Sequence, residues 1–257
     1  MDPWNPSQYD RFRWEREQPF FDLLALVQPS PNMRVVDLGC GTGALTRHLH
    51  EQLHARATLG VDRSARMLER ATDGERPEGL SFEVGTIESF SGRGGYDLIF
   101  SNAAFHWVDD HPALISRLAK ALSSEGQLAF QVPAMHDDPS HTVAEELTTV
   151  ERFRDAFNGW HRAQPVLQPE EYARLFVRAG LTSQHVRLVV YPHVLSEPQD
   201  VVEWMKGTLL TDYERRLTPA LFADFLNEYR ARLLPRLADI RPFVFPFKRI
   251  LCWGRRG

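Results

Sequence analysis

Short apolar segments alternate with amphipathic ones along the first half of the chain. Five segments have the length and apolar content of buried strands: Arg34–Leu38, Thr58–Val61, Leu80–Val84, Tyr96–Ser101 and Gly126–Val132. Between them, the spacing of apolar residues predicts helices over Leu45–Leu53, Ala65–Ala71 and Pro112–Leu122. Strands that alternate with helices indicate an α/β fold whose mostly parallel sheet has helices on both faces.

The second half of the chain is less regular. Helical patterns cover 139–158, 169–179, Gln199–Thr208 and Pro219–Leu234, and strands are expected at Val186–Tyr191 and Phe243–Trp253, the latter broken at Pro246. The pattern therefore predicts a doubly wound, Rossmann-like sheet of seven strands, with a helical insertion at about 192–241 before the last strand. We expect one domain over residues 1–257.

A glycine-rich turn follows the first strand. Gly39, Gly41 and Gly43 alternate with small residues, and Asp37 precedes them. Glycine tolerates positive φ angles and lets a ligand approach the backbone closely. The spacing differs from the Gly-x-Gly-x-x-Gly fingerprint of dinucleotide enzymes, because Ala44 and not a correctly spaced third glycine follows. The turn predicts a nucleotide-like cofactor of another kind.

An acidic residue ends the second strand. Asp62 lies 19 residues after Gly43, where an α/β unit can place a carboxylate to accept both hydroxyls of a ribose. A second interpretation is a helix N-cap, since Asp62 and Ser64 stand directly before a predicted helix.

Composition and charge narrow the function class. A net charge of −4 argues against a general nucleic-acid binder. Ten basic residues against four acids follow from Glu214 onward, which is either a solvated helix face or a docking surface. Cys40 and Cys252 form no metal or disulfide pattern, so we expect no metal site. Without a signal peptide or a membrane-length apolar run, we expect a cytoplasmic protein and no membrane partner.

Two motifs in the right order resemble class I S-adenosylmethionine-dependent methyltransferases. The first is Asp-x-Gly-x-Gly-x-Gly, and the second is the fourth strand, Tyr96–Ser101, running into a turn of small and polar residues. The resemblance implies S-adenosyl-L-methionine as cofactor. Its expected contacts are Asp37, Gly39, Cys40, Gly41, Gly43, Asp62, Arg63, Met67, Thr86, Ile87, Asn102 and Ala103. Many relatives have an aspartate for adenine where this chain has Thr86, so a weaker hold is expected there.

The turn after the fourth strand restricts the substrate. Enzymes that methylate amino groups of bases or of glutamine usually carry a Pro-Pro-aromatic turn there, whereas Asn102 is followed by Ala103, Ala104 and Phe105. Arsenite methylation would require several cysteines, and the chain has only two. A substrate that is not a nucleobase is therefore favoured.

Motifs along most of the chain resemble the trans-aconitate methyltransferase family. They are Trp4–Tyr9, the segment from Ser101 to His111, Gln131–Pro133, Glu203-Trp204 and Phe245-Pro246. The resemblance implies a monomethyl ester of a small tricarboxylic acid, an N-terminal lid at about 1–30 and a substrate cap at about 192–241. Expected to take part in catalysis are Tyr9, Asn102, His106 and Trp107, and expected to bind the substrate are Trp4, Arg13, His193, Lys206 and Arg249.

Methylating a carboxylate requires few catalytic groups. The acid is ionised at neutral pH, because its ordinary pKa is about 4, and it needs no general base. Holding the oxygen in line can contribute up to roughly 7–11 kcal/mol. His106 can equally be a packed residue, Trp107 a core residue, and Trp204 and Phe245 packing of the insertion.

Other interpretations stay open. The substrate could be an acid bound to a carrier, such as malonyl-acyl carrier protein, or the methyl group could go to carbon or nitrogen. The chain could also bind S-adenosylmethionine without catalysis. We expect the substrate to be a small anionic carboxylic acid. We expect the protein to be a monomer or a weak dimer.

Overall fold

A computed structural model describes residues 13–72, 77–92, 94–237 and 241–257, with side chains from residue 17 onward. Within these ranges lie the strands β1 (Arg34–Leu38), β2 (Ala57–Asp62), β3 (Leu80–Val84), β4 (Tyr96–Asn102), β5 (Leu122–Pro133), β6 (Ser183–Leu195) and β7 (Phe243–Arg255). The α-helices are α1 (Arg13–Leu24), α2 (Ala44–Gln52), α3 (Ala65–Thr72), α4 (His111–Ala121), α5 (Pro139–Leu147), α6 (Glu151–Phe157), α7 (Pro169–Arg178), α8 (Gln199–Lys206), α9 (Thr211–Glu214) and α10 (Pro219–Leu233).

The strands form one sheet in the order β3-β2-β1-β4-β5-β7-β6. The pairs from β3 to β5 are parallel and β7 is antiparallel to β5, which confirms the seven-stranded, mostly parallel prediction. The direction of winding reverses between β1 and β4, so a crevice for ligands is expected at the carboxyl ends of these two strands.

The contacts of the chain divide into two compact units, where the sequence predicted one domain with an insertion. Of the described residues, the sheet unit takes those within 16–133, 165–189 and 249–257, and the helical unit takes those within 13–15, 134–164 and 190–248. The predicted insertion at 192–241 therefore omits α5 and α6. These helices join it through contacts such as the Tyr229 hydroxyl, which donates to the Ser140 carbonyl at 2.7 Å.

Each unit has its own apolar core. The central strands of the sheet unit bury Val36, Ile99 and Phe130 completely, as expected of strands covered on both faces. The helical unit is built around aromatic rings, among them Trp204 and Phe245, which are 2% and 1% exposed. Packing is therefore the role the structure shows for these two residues.

Two local predictions were wrong. Residues 139–158 form two helices with a break at Thr148. The Thr148 hydroxyl donates to the Glu145 carbonyl, and such a side-chain bond competes with the backbone hydrogen bonds of a helix. Pro246 does not interrupt the last strand. The ladder between β5 and β7 ends at Arg249, so the missing N–H of Pro246 costs it no hydrogen bond.

The N-terminal segment predicted as a lid at about 1–30 includes part of the sheet unit. Phe20 and Leu23 of α1 are fully buried, and the Phe20 ring lies 5.4 Å from that of Phe100 on β4. A lid can therefore involve only residues before this anchor. No helix in the described ranges is long and apolar enough to cross a bilayer.

Candidate active site

The glycine turn after β1 is tied to the end of β2. The backbone N–H groups of Gly39 and Cys40 both donate to the Val61 carbonyl, at 2.8 and 3.1 Å. Gly39 has a φ of +82°, and a Cβ there would lie 2.2 Å from the Ala104 Cβ. At Gly41, with a φ of +57°, the nearest atom to such a Cβ is the Met67 Cε at 3.9 Å. The turn thus has no room for a side chain at Gly39, whereas space is left next to the backbone at Gly41.

Asp62 holds this turn in place. Its Oδ2 accepts from the Gly41 N–H and its Oδ1 accepts from the Ser64 N–H, both at 2.8 Å. The cap of α3 is Ser64, whose hydroxyl accepts from the Met67 N–H at 3.3 Å, and Asp62 bonds the residue just before the helix. Because each carboxylate oxygen has a further lone pair, Asp62 can still accept hydrogen bonds from a ribose.

Asp37 lies buried beneath the turn. Its Oδ2 accepts from the Thr46 hydroxyl at 2.6 Å, whereas its Oδ1 has no hydrogen-bond partner among the described residues. Burial raises the pKa of the Asp37 carboxyl from 3.8 to about 7, although the Thr46 hydrogen bond lowers it and the nearby Asp62 charge raises it further. This carboxyl is therefore half-protonated near neutral pH.

We expect the D37N variant to remove a pH dependence of folding. Between pH 4 and 7 the unfolded Asp37 is ionised while the native one keeps its proton, so the wild type loses stability as pH rises. A tenfold change in ionisation equilibrium is worth about 1.4 kcal/mol, so the loss is up to ~4 kcal/mol. Asparagine does not titrate and can still accept from Thr46. Urea unfolding of both proteins at pH 4.5 and 7.5, without cofactor, measures the difference; parallel pH profiles would contradict it.

The predicted cofactor residues on other elements have diverse surroundings. Ile87 lies close to Gly39, since its Cδ1 would be 3.8 Å from a Cβ on that glycine. The Thr86 hydroxyl is already bonded to Ser89 Oγ at 3.0 Å. The Cys40 thiol packs into an apolar cluster, and burial raises its pKa. Arg63 is exposed.

A strained turn follows β4. Ala103 has a φ of +53°, which is unusual for a residue with a Cβ, and its N–H donates to the Gln131 carbonyl at 3.1 Å. Beyond it, Phe105–Trp107 form one turn of 3-10 helix. The Trp107 side chain is 41% exposed, so the core alternative considered for it is wrong, and its ring lies 4.8 Å from that of His106.

A buried histidine supports this turn. His111 Nε2 lies 2.9 Å from the Phe105 carbonyl and His111 Nδ1 lies 2.5 Å from the Tyr172 hydroxyl. Because a carbonyl can only accept, Nε2 carries the proton and Nδ1 accepts from Tyr172. Burial lowers the pKa of His111, so the ring stays neutral and its hydrogen bonds keep this direction.

Three polar side chains form a chain of hydrogen bonds at the ends of β4 and β5. Arg249 donates to Gln131 Oε1 at 2.9 Å, and Gln131 Nε2 donates to Asn102 Oδ1 at 2.6 Å. Gln131 is fully buried and Arg249 is 5% exposed. The sheet unit thus brings the predicted substrate residue Arg249 within two hydrogen bonds of the predicted catalytic residue Asn102.

Comparisons with known proteins show the family of the chain. Residues 9–186 match the model of a methyltransferase domain family. The trans-aconitate 2-methyltransferase of Deinococcus radiodurans is 41% identical over 254 residues, or 96% of each chain. That of Mycobacterium sp. (strain KMS) is 35% identical over 99% of this chain and 100% of its own. The chain belongs to the trans-aconitate 2-methyltransferase family.

Membership of this family makes the protein an S-adenosylmethionine-dependent methyltransferase. Solved structures show the same fold. The YcgJ protein of Bacillus subtilis is 18% identical with a TM-score of 0.62, covering 93% of this chain and 98% of its own. An S-adenosylmethionine-dependent methyltransferase from Mesorhizobium loti is 20% identical with a TM-score of 0.55, covering 94% and 98%.

Five further residues are expected to contact the substrate of this methyltransferase. Trp4 and Tyr9 lie outside the described residues, as does the side chain of Arg13. In the helical unit, the His193 ring is 4% exposed and stacks on Trp204 at 4.8 Å. Lys206 pairs with Glu203 at 2.9 Å. Contacts of these five residues with a substrate stay predictions.

The basic C-terminal segment gives little support to a docking surface. Several of its arginines pair with acids: Arg232 with Glu228 at 2.7 Å, Arg236 with Glu146 at 2.8 Å, and Arg255 with Glu125 at 2.9 Å. Paired charges on exposed side chains are typical of a solvated face.

Sequence reasoning missed Gln131 and His111 as contributors to the site. Both lie in motifs that resemble the family, but neither was given a role. For Gln131 a signal was present, because a polar residue inside an apolar strand must find a buried partner. The partner itself depends on which strands are neighbours in the sheet.

Proposed function

We propose that this methyltransferase esterifies a carboxylate of a small polycarboxylic acid, with trans-aconitate as the main candidate and its monomethyl ester as product. The observation that carries the proposal is the buried Arg249, linked through Gln131 to Asn102 at the carboxyl ends of the strands. A buried guanidinium beside an amide donor suits an acceptor-only, negatively charged group. The name shared by the full-length relatives supports the same substrate.

The residues around the glycine turn fit S-adenosylmethionine. The space above Gly41 admits a ligand close to the backbone, and Asp62 has lone pairs for the ribose hydroxyls. Ile87 and Met67 are half-buried apolar residues suited to the faces of the adenine. The buried Asp37 Oδ1 has no described partner, and a cationic cofactor would favour the ionised carboxylate, in which Oδ1 is an acceptor. When bound, the cofactor supplies a methyl group activated by a positively charged sulfur.

The protein's own residues position the substrate carboxylate and exclude water from it. The acid arrives ionised, so no residue is needed to remove a proton. Asn102 and Arg249 orient the carboxylate, while the turn from Ala103 to Trp107 forms the wall beside it. His111 holds that wall through Phe105 and, being neutral and buried, takes no part in proton transfer.

Assay of a substrate panel tests this proposal. The purified protein is incubated with S-adenosylmethionine and trans-aconitate, other di- and tricarboxylic acids, a monocarboxylic acid, and malonyl-acyl carrier protein. We expect mass spectrometry to show a monomethyl ester of trans-aconitate, and an R249M variant to lose most activity on polycarboxylates. Methylation of the carrier-linked acid alone would overturn the substrate class. Cofactor binding by calorimetry without any methyl transfer would overturn catalysis.

The cytoplasmic location and the monomeric or weakly dimeric state expected from the sequence stay predictions. So do the lid and the cap.

A further inference from the structure

A row of hydrogen-bonding side chains crosses three strands at one edge of the sheet unit. Asn102 is the last residue of β4, and Gln131 lies directly opposite it in the parallel register of β5. On the other side of β5, the antiparallel register places Arg249 of β7 opposite Pro133, two residues along from Gln131. Gln131 therefore stands between the other two side chains, fully buried.

The chemistry of Arg249 decides the direction of every hydrogen bond in this row. A guanidinium only donates, so the group of Gln131 that faces it at 2.9 Å must be the oxygen Oε1. The opposite end of the same amide is then Nε2, which donates to Asn102 at 2.6 Å. Asn102 must receive that bond with its oxygen Oδ1. Its nitrogen Nδ2 is consequently the group that Asn102 offers elsewhere.

We propose that Gln131 is a positioning residue that makes Asn102 present a donor, so that this strand end selects acceptor-only groups such as carboxylates. A hydroxyl or amine can accommodate either face of an amide, because each both donates and accepts. A carboxylate accepts only and is repelled by the amide oxygen. Gln131 acts through Asn102 and Arg249 and does not touch the substrate. This inference rests on the proposed carboxyl-methylating function.

The Q131E variant reverses the direction of the row while keeping its shape. A glutamate accepts from Arg249 and also accepts from Asn102, so the Asn102 amide must turn and present Oδ1. We expect the KM for trans-aconitate to rise at least tenfold. The KM for S-adenosylmethionine should change less than twofold, and the melting temperature should not fall, since the new carboxylate is paired with Arg249. A purely structural role for Gln131 would change stability without this split between the two KM values.

Testing Q131E in the N102A protein as well separates the effect of the turned Asn102 amide from the effect of the added negative charge. In the N102A protein, no amide can turn, so any effect of Q131E there comes from the charge alone. Binding of trans-aconitate to the four proteins, loaded with S-adenosylhomocysteine, gives a double-mutant cycle. We expect Q131E to weaken binding by at least fivefold more in the Asn102 background than in the N102A background. Equal effects in both backgrounds would overturn the proposal. If Q131E does not fold, Q131M, which removes both bonds at similar volume, should raise the KM for the acid and spare that for the cofactor.

A readout independent of turnover separates this inference from the proposed function. In an NMR spectrum of the whole ¹⁵N-labelled protein, the Gln131 side-chain amide is assigned by its loss in Q131M. Its protons should exchange with solvent at least tenfold more slowly in the wild type than in N102A. Fast exchange in the wild type would show that the Gln131 amide does not donate to Asn102, whatever the enzyme methylates, and would overturn the proposal. A protected amide in a protein that methylates no acid would overturn the function and leave the direction of the row standing.

Discussion

The G39A variant should lose about 2–5 kcal/mol of stability, because a left-handed alanine costs about 1–2 kcal/mol and overpacking costs a further 1–3 kcal/mol. Gly39 has a φ of +82°, and the added Cβ would lie 2.2 Å from the Ala104 Cβ. The turn after β4 must move to relieve that overlap, which also displaces Asn102. We therefore expect affinity for S-adenosylmethionine and turnover to fall together. Urea unfolding and calorimetric titration with the cofactor measure the two effects.

Two further variants identify the cause. Gly180 has a φ of +79°, and a Cβ added there would have nothing within 4 Å, so G180A isolates the cost of the left-handed backbone. In the G39A/A104G double variant the overlap disappears, because the next atoms are the Ala104 Cα at 3.7 Å and Ile87 Cδ1 at 3.8 Å. We expect it to recover to about the stability loss of G180A. A double variant no better than G39A would show that the contact with Ala104 is not the reason.

The D62A variant should weaken binding of S-adenosylmethionine by at least about 100-fold, since it removes two or more hydrogen bonds to a charged group, worth about 1.5–3 kcal/mol each. The loss has two sources. The ribose would lose its acceptor, and the Gly41 N–H would lose the bond that fixes the turn. Equilibrium binding of the cofactor at constant salt measures the change.

Asp97 provides a matched control. Its carboxylate also accepts two hydrogen bonds, from the Arg34 N–H at 2.8 Å and the Ser123 hydroxyl at 2.9 Å. It lies near the amino end of β4, on the edge of the sheet opposite the glycine turn. We expect D97A to reduce stability with little change in cofactor affinity. An equal loss of affinity in both variants would mean that Asp62 acts only by supporting the fold.

Much of the sheet unit was predictable because its signals are local. The apolar segments at Arg34–Leu38 and Leu80–Val84 are the strands found, and the glycine spacing correctly indicated a methyltransferase domain. Asp62 was harder, since one side chain bonds both Gly41 and Ser64, the residue that caps the next helix. Its contact with a ribose stays a prediction.

The rest depends on which distant segments meet. Nothing in the apolar pattern indicated that α5 and α6 join the later helices, because an amphipathic face does not reveal its partner. The same holds for His111 and Tyr172, which are far apart in the chain yet share one hydrogen bond. Arg249 was a candidate on charge alone. Its link to Asn102 requires knowing that β7 pairs with β5.

The position of β7 also bears on how the protein is made. In the sheet order, β7 separates β5 from β6, although β6 precedes it in the chain. During synthesis, strands β1 to β5 can pair as they leave the ribosome, whereas β6 has no neighbour until α8 to α10 and β7 have followed. An unpaired strand edge is a site of aggregation. Chains that terminate before Phe243 should therefore be captured by chaperones or degraded, even though they already contain the whole glycine turn.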